Sequence, residues 1–203
     1  MKTKDLILKM NFKILPVTFV IVLLIGFASC TQTGSDSQRN TSVETIAAPE
    51  ITEQEVLNVQ QAWGEGIVKI GKAFTDNGDY KQAATEHINE FYNYQEGSVL
   101  FKPTLASEKQ FRTDFEGALS YFVGGNEAYS EDKGFAIKPW SAVRWENIGT
   151  KIIGNMAVAM GNYYFTPAEG GDDVKVEYSF AYTKNENGEL KIILHDSHVP
   201  FQP

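Results

Sequence analysis

The spacing of apolar residues changes once along this chain, and that change fixes what it can fold into. From residue 52 to 94 large apolar side chains recur every three or four positions, whereas from Ala136 onward they alternate. The first period is that of one helix face, the second that of a half-buried strand. Val56, Val59, Trp63, Ile67, Ile70 and Phe74 predict a helix opened by Thr52-Glu53-Gln54-Glu55, where Thr52 and Glu55 can satisfy each other's amides, and closed by Asp76-Asn77-Gly78-Asp79. A second helix is expected over Tyr80 to Tyr94, with Ala84, Ile88, Phe91 and Tyr92 facing the same core. Val99 to Leu105 reads as a short strand, and Thr113 to Phe122 as a third helix stopped at Gly124-Gly125. Strands are expected over Ile137 to Asn147, Thr150 to Ile153, Met156 to Thr166, Val174 to Lys184 and Glu189 to Pro200, separated by turn sequences such as Asn185-Glu186-Asn187-Gly188. Helices followed by a meander define an α+β domain over residues 51–203. The expected form is a cone, a curved antiparallel sheet folded over N-terminal helices around an apolar interior.

Ahead of that domain, Lys2, Lys4, Lys9 and Lys13 precede the apolar run Ile14 to Ala28, which ends in Phe27-Ala28-Ser29-Cys30. Basic, apolar and small-residue regions in that order read as a secretory leader over residues 1–29. The single cysteine directly after the small residues resembles the lipidation site of a bacterial lipoprotein. A membrane-spanning helix is the competing reading, but the apolar stretch is shorter than the ~20 residues a span needs. Residues 30–50, rich in Ser, Thr, Gln and Asn, read as a flexible tether. The chain would then sit in the cell envelope, held to a membrane through lipid on Cys30.

With Cys30 lipidated, the domain keeps no thiol, which removes disulfides, thiolate nucleophiles and cysteine-ligated zinc. The net charge of −8 becomes more negative once the lysine-rich leader is gone. Nucleic acid is therefore not an expected partner, since binding it depends on neutralising phosphates with Lys and Arg.

Three patches place hydroxyls, a phenol and imidazoles inside apolar segments: Phe101-Lys102-Pro103-Thr104, Ala118-Leu119-Ser120-Tyr121-Phe122-Val123-Gly124-Gly125 and Leu194-His195-Asp196-Ser197-His198-Val199-Pro200. Polar groups in apolar surroundings are expected to line a pocket, because burying them without partners costs about 1–3 kcal/mol each. Strand alternation puts His195 and Ser197 on one face and Asp196 and His198 on the other. Taken singly, His195 and Tyr121 read first as core residues, and Thr104 as a strand-end or turn residue. His87, His195 and His198 form no His-x-x-x-His pair, so an all-histidine metal site is not expected. Glu86, Glu90, Asp114 and Glu177 are unranked carboxylates that could help hold an ion.

The same patches, with Ala62-Trp63-Gly64-Glu65-Gly66-Ile67, Phe135-Ala136-Ile137-Lys138-Pro139-Trp140, Ala159-Met160-Gly161-Asn162-Tyr163-Tyr164-Phe165-Thr166 and Lys175-Val176-Glu177-Tyr178, resemble the iota-class carbonic anhydrases over nearly all of residues 55–201. That family is similar in fold to the association domain of calmodulin-dependent kinase II and to nuclear-transport-factor-2-like and SnoaL-like proteins. The resemblance implies a homodimer that hydrates carbon dioxide to bicarbonate. It implies no cofactor in the metal-free description of the family, with zinc or manganese left open by the metal-using one. It implies Thr104, Tyr121, Ser197 and His195 as the catalytic set: Tyr121 and Thr104 orienting water or product oxygens, Ser197 bonding bicarbonate, and His195 orienting Ser197 or relaying a proton. Phe101, Phe122 and Trp140 would form the apolar lining that admits carbon dioxide. The chain departs from the family's terminal His-His-Ser-Ser, having Asp196 and His198 in place of the second His and second Ser. A non-catalytic ligand-binding or dimerisation module is the alternative. A ketosteroid-isomerase-type enzyme is a third reading, and it needs a buried Asp or Glu beside Tyr121.

Overall fold

The protein is described by a computed structural model covering residues 50–203. The leader, Cys30 and the tether as far as residue 49 lie outside the described residues.

Helix α1 (Glu53–Thr75) starts at the expected box: the Glu55 amide donates to the Thr52 hydroxyl at 3.2 Å and the Thr52 amide donates to the Glu55 carboxylate at 2.8 Å. Its buried stripe is Val56, Trp63, Ile67 and Ile70. Phe74, expected in that stripe, is 42% exposed and packs edge-on against Tyr80 at 5.0 Å. After α1 the chain reverses through Asn77, whose φ of 56° is the left-handed conformation that Asn tolerates better than most residues. Helix α2 (Tyr80–Phe91) ends three residues earlier than its apolar spacing predicts. Tyr92 takes extended backbone and bridges in parallel to Ile192, a change of conformation that turns its ring toward the sheet.

Strand β1 (Leu100–Lys102) follows, then helix α3 (Phe115–Val123), whose first turn is capped by the Asp114 carboxylate on the Gly117 amide at 2.8 Å. The remaining strands are β2 (Trp140–Ile153), β3 (Met156–Pro167), β4 (Val174–Lys184) and β5 (Leu190–His198). They order as β1-β5-β4-β3-β2 in one sheet.

Two expectations about this sheet need correction. It is mixed rather than antiparallel: β2 to β5 form the expected meander, but β1 runs parallel to β5, with Phe101 opposite His195. The reason is connectivity, because β1 is delivered by α2 and not by a hairpin from its neighbour. The two strands expected at 137–147 and 150–153 are one strand, β2, interrupted by a register shift between Asn147 and Gly149. Such a bulge bends a strand without ending it. Gly161 makes the bend possible, since a Cβ there would lie 2.2 Å from the Glu146 carbonyl oxygen.

The inner face of the curved sheet, with Ala157, Ala159, Tyr163, Phe165, Tyr178, Phe180 and Ile192, packs against the stripe of α1 and the buried faces of α2 and α3.

Candidate active site

The parallel β1–β5 pair brings two of the polar patches together. β1 ends just before Thr104, and β5 presents His195 and Ser197 inward, 3% and 2% exposed, while His198 on the opposite face is exposed. The Thr104 and Ser197 hydroxyls lie 2.9 Å apart. Tyr121 reaches the same place from α3. These groups line a small chamber with Trp63, Phe101, Phe122, Phe135 and Tyr163. The chamber volume is about 10 Å³, close to the minimum that holds one water.

His195 is packed between rings, stacked on Phe101 at 4.7 Å and edge-on to Phe180 at 4.1 Å. Burial holds its pKa well below the ordinary histidine value, so the ring is neutral. It does not bond Ser197, which orienting that residue, one of the two roles expected of it, would require. Its Nε2 lies 3.3 Å from the Tyr163 hydroxyl and its Nδ1 lies 2.8 Å from the Tyr92 hydroxyl. The Tyr163 and Tyr121 phenols are both pushed above their ordinary range by burial, an effect softened for Tyr163 by the Ser197 and Thr104 hydroxyls and for Tyr121 by the Leu105 backbone and Thr104. At neutral pH both are phenols that can donate a hydrogen bond.

Thr104, Tyr121 and Phe135 also border an outer cavity of about 690 Å³, whose apolar wall includes Trp140, Phe165 and Val176. Phe101 and Phe122 line the chamber, whereas Trp140 lines the outer cavity, its indole N–H donating to the Phe135 carbonyl at 3.1 Å.

The carboxylates considered for an isomerase or an ion are elsewhere. Asp114 caps α3, and Glu177 is outward-facing, its carboxylate 3.2 Å from His198 Nε2. Among the described residues the one buried carboxylate near the outer cavity is Asp132, which reading the sequence missed. It is held by Arg112 at 2.8 Å and Ser120 at 2.7 Å. Among the described residues no group of three or more His, Cys, Asp or Glu side chains is arranged to hold a metal ion. Tyr163 and Tyr92 are the polar neighbours of His195 that sequence reasoning did not single out. Tyr163 carried a signal, because alternation places it on the face of Phe165 within Asn162-Tyr163-Tyr164-Phe165.

Residues 54–199 match the family of metal-independent carbonic anhydrases. The chain belongs to this family. The match spans every strand and, apart from Glu53, every helix described above, and contains Thr104, Tyr121, Tyr163, His195 and Ser197. The metal-independent carbonic anhydrase of Nostoc sp. (strain PCC 7120) is 40% identical over 199 residues, covering 94% of this chain and 97% of that protein. The crystal structure of an iota-carbonic anhydrase from a cyanobacterium, complexed with bicarbonate, superposes with a TM-score of 0.74 at 43% identity, over 76% of this chain and 95% of that one. A nuclear-transport-factor-2-like protein of unknown function from Shewanella oneidensis MR-1 aligns at a TM-score of 0.44 and 11% identity, over 71% of this chain and 97% of that one. The family's metal independence agrees with the donor set of the chamber, which offers hydroxyls, phenols and one neutral imidazole.

Proposed function

We propose that this carbonic anhydrase hydrates carbon dioxide reversibly to bicarbonate in the Thr104–Tyr121–Tyr163–Ser197 chamber, without a metal. The observation that carries the reading is the ring of uncharged O–H groups around a space of one-water size, opening onto an apolar cavity. Carbon dioxide is apolar and enters along the outer wall. A water held by Thr104 and Ser197 attacks its carbon, one C=O electron pair moves to oxygen, and the proton lost from the water passes to solvent in the outer cavity. The developing negative oxygen is met by O–H donors that are already oriented, which is how a site without a cation lowers such a barrier. The related cyanobacterial enzyme, solved with bicarbonate, supports this reading.

Stopped-flow hydration by chelator-treated protein tests it. Activity that survives metal removal and is lost in Ser197→Ala is expected. Activity present only after zinc or manganese is restored overturns the metal-free reading, and none in either state leaves the binding-module alternative.

The same proposal places the enzyme at the cell envelope through lipid on Cys30, tested by labelled-palmitate incorporation that Cys30→Ala abolishes. It also includes a homodimer, formed through the outer face of the sheet. That face carries exposed Leu100, Ile153, Met156, Val158 and Met160, with Leu100 61% and Met160 55% exposed. Val158→Glu with Met160→Glu is expected to convert a dimer to a monomer in sedimentation, and a wild-type monomer overturns the assignment.

A further inference from the structure

Behind the chamber a second row of hydrogen bonds decides where protons sit. A neutral imidazole carries its proton on one nitrogen only, and the other nitrogen must accept. His195 offers Nδ1 to Tyr92 and Nε2 to Tyr163. Tyr92 in turn receives the Trp63 indole N–H at 3.1 Å, a group that can only donate. Trp63 and Tyr92 are each 1% exposed and His195 3%. Among the described residues the Tyr92 hydroxyl has no hydrogen-bond partner besides these two.

Only one arrangement satisfies all three. If Nδ1 carried the proton, Tyr92 would accept from both neighbours and its own hydrogen would be buried without an acceptor, which folded proteins avoid. If Nε2 carries it, each group donates to the next: Trp63 to Tyr92, Tyr92 to Nδ1, and Nε2 to Tyr163. The Tyr163 hydrogen is then free for the Ser197 and Thr104 hydroxyls beside it.

We propose that Trp63 and Tyr92 are positioning residues that fix His195 as the Nε2–H tautomer, so that the hydrogen-bond chain runs one way, from the interior into the chamber. The tautomer follows from the geometry alone, and only its catalytic consequence rests on the hydration reading above. That consequence is specific. Tyr163 has its acceptor side occupied from behind and its hydrogen offered in front, so the site is built to hold an anion. The one ring lone pair of His195, on Nδ1, is taken up by the Tyr92 hydroxyl, which does not line the chamber. His195 is therefore not the base that takes the proton of water, and it relays none.

Two-bond proton–nitrogen correlation spectra of the full chain, labelled with ¹⁵N-histidine and held in detergent micelles, read the tautomer directly. The His195 signals are assigned by their loss in His195→Asn, or by exclusion through His87→Asn and His198→Asn. The expected result is a single Nε2–H form that does not titrate from about pH 6 to 9, where an ordinary histidine would. An Nδ1–H form or an imidazolium in the unsubstituted chain overturns the proposal, and this needs no variant to fold. Tyr92→Phe, which keeps the ring, is expected to give a mixture of tautomers and to lower kcat about tenfold with KM little changed. A folded Tyr92→Phe with the tautomer and kcat of the parent also overturns it. A pure Nε2–H form in a protein without hydration activity supports the tautomer assignment and removes the hydration reading instead.

Discussion

The Tyr163 hydroxyl stands between His195 and the Thr104–Ser197 pair, 3.3 Å from His195 Nε2 and beside both hydroxyls. Histidine and serine, two residues apart on one strand face, communicate through a phenol contributed by a strand two places away in the sheet. Tyr163→Phe keeps the ring and removes this link. It is expected to lower carbon dioxide hydration about 100- to 1,000-fold in stopped-flow assays, the scale of losing one oriented donor. Tyr164→Phe is the control, since that hydroxyl donates to Glu146 at 2.7 Å on the outer face. Equal losses in the two variants would remove Tyr163 from the mechanism.

The two buried histidines make stability depend on pH. Burial lowers His87 to about 3, with the Lys69 charge adding to the effect, and holds His195 well below its ordinary value. Unfolded, both titrate near pH 6.5. Their contribution is therefore complete above about pH 7 and is lost as pH falls below about 6.5, where the unfolded chain takes up protons that the native one refuses. The slope should approach about 1.4 kcal/mol per pH unit for each histidine. Carboxylates such as Glu55 and Glu131, whose pKa values are depressed by hydrogen bonds, add to the loss only below about pH 4.5. Urea denaturation at pH 7.5, 6 and 5 reads the effect, and a flat profile over that window would contradict it.

Arg112 is fully buried and pairs with Asp132, whose side chain is 1% exposed, at 2.8 Å. Asp132→Ala strands the guanidinium and is expected to cost about 3–5 kcal/mol in chemical denaturation. Replacing both residues by apolar ones should cost less than replacing Asp132 alone. A single-variant loss below about 1 kcal/mol would mean that Glu131, 3.4 Å from Arg112, takes over.

Asp196 and His198 face away from the chamber and join Lys102 and Glu177 on the outer side, with Asp196 3.8 Å from Lys102. Exchanging them for His and Ser together is expected to leave hydration within about threefold, as for other surface changes. A larger change in kcat would show that the outer face takes part in proton release.

Gly66 abuts His87 so closely that an added Cβ would lie 2.1 Å from its Nδ1. Gly66→Ala is expected to destabilise by about 1–3 kcal/mol through overpacking. Adding His87→Ala should recover part of that loss, and strict additivity in the double-mutant cycle would disprove the contact.

Local chemistry was legible in the sequence. The Thr52–Glu55 box, the α1 stripe and the division of β5 into an inward His195–Ser197 face and an outward Asp196–His198 face all follow from spacing alone. The end of α2 was not, because Phe91 and Tyr92 continue its apolar spacing and no Gly or Pro marks the stop. The direction of β1 was not either, since period-two alternation is the same for parallel and antiparallel neighbours. The partners of His195 escaped for the same kind of reason. Tyr92 reaches it only by leaving the helix, and Tyr163 only through the register of three strands. The Arg112–Asp132 pair joins two loop positions that carry no periodic signal.

The Thr104–Ser197 contact joins positions 93 residues apart, one beside a three-residue edge strand and the other near the end of the last strand. Such a contact forms late, after the loop it closes has been paid for by the rest of the sheet. A nascent chain that has emerged only as far as β4 can bury much of its core and still possess no site. Activity thus reports that the C-terminus has docked, and a transient peeling of β1 from β5 would switch the enzyme off while the remaining four strands stay folded.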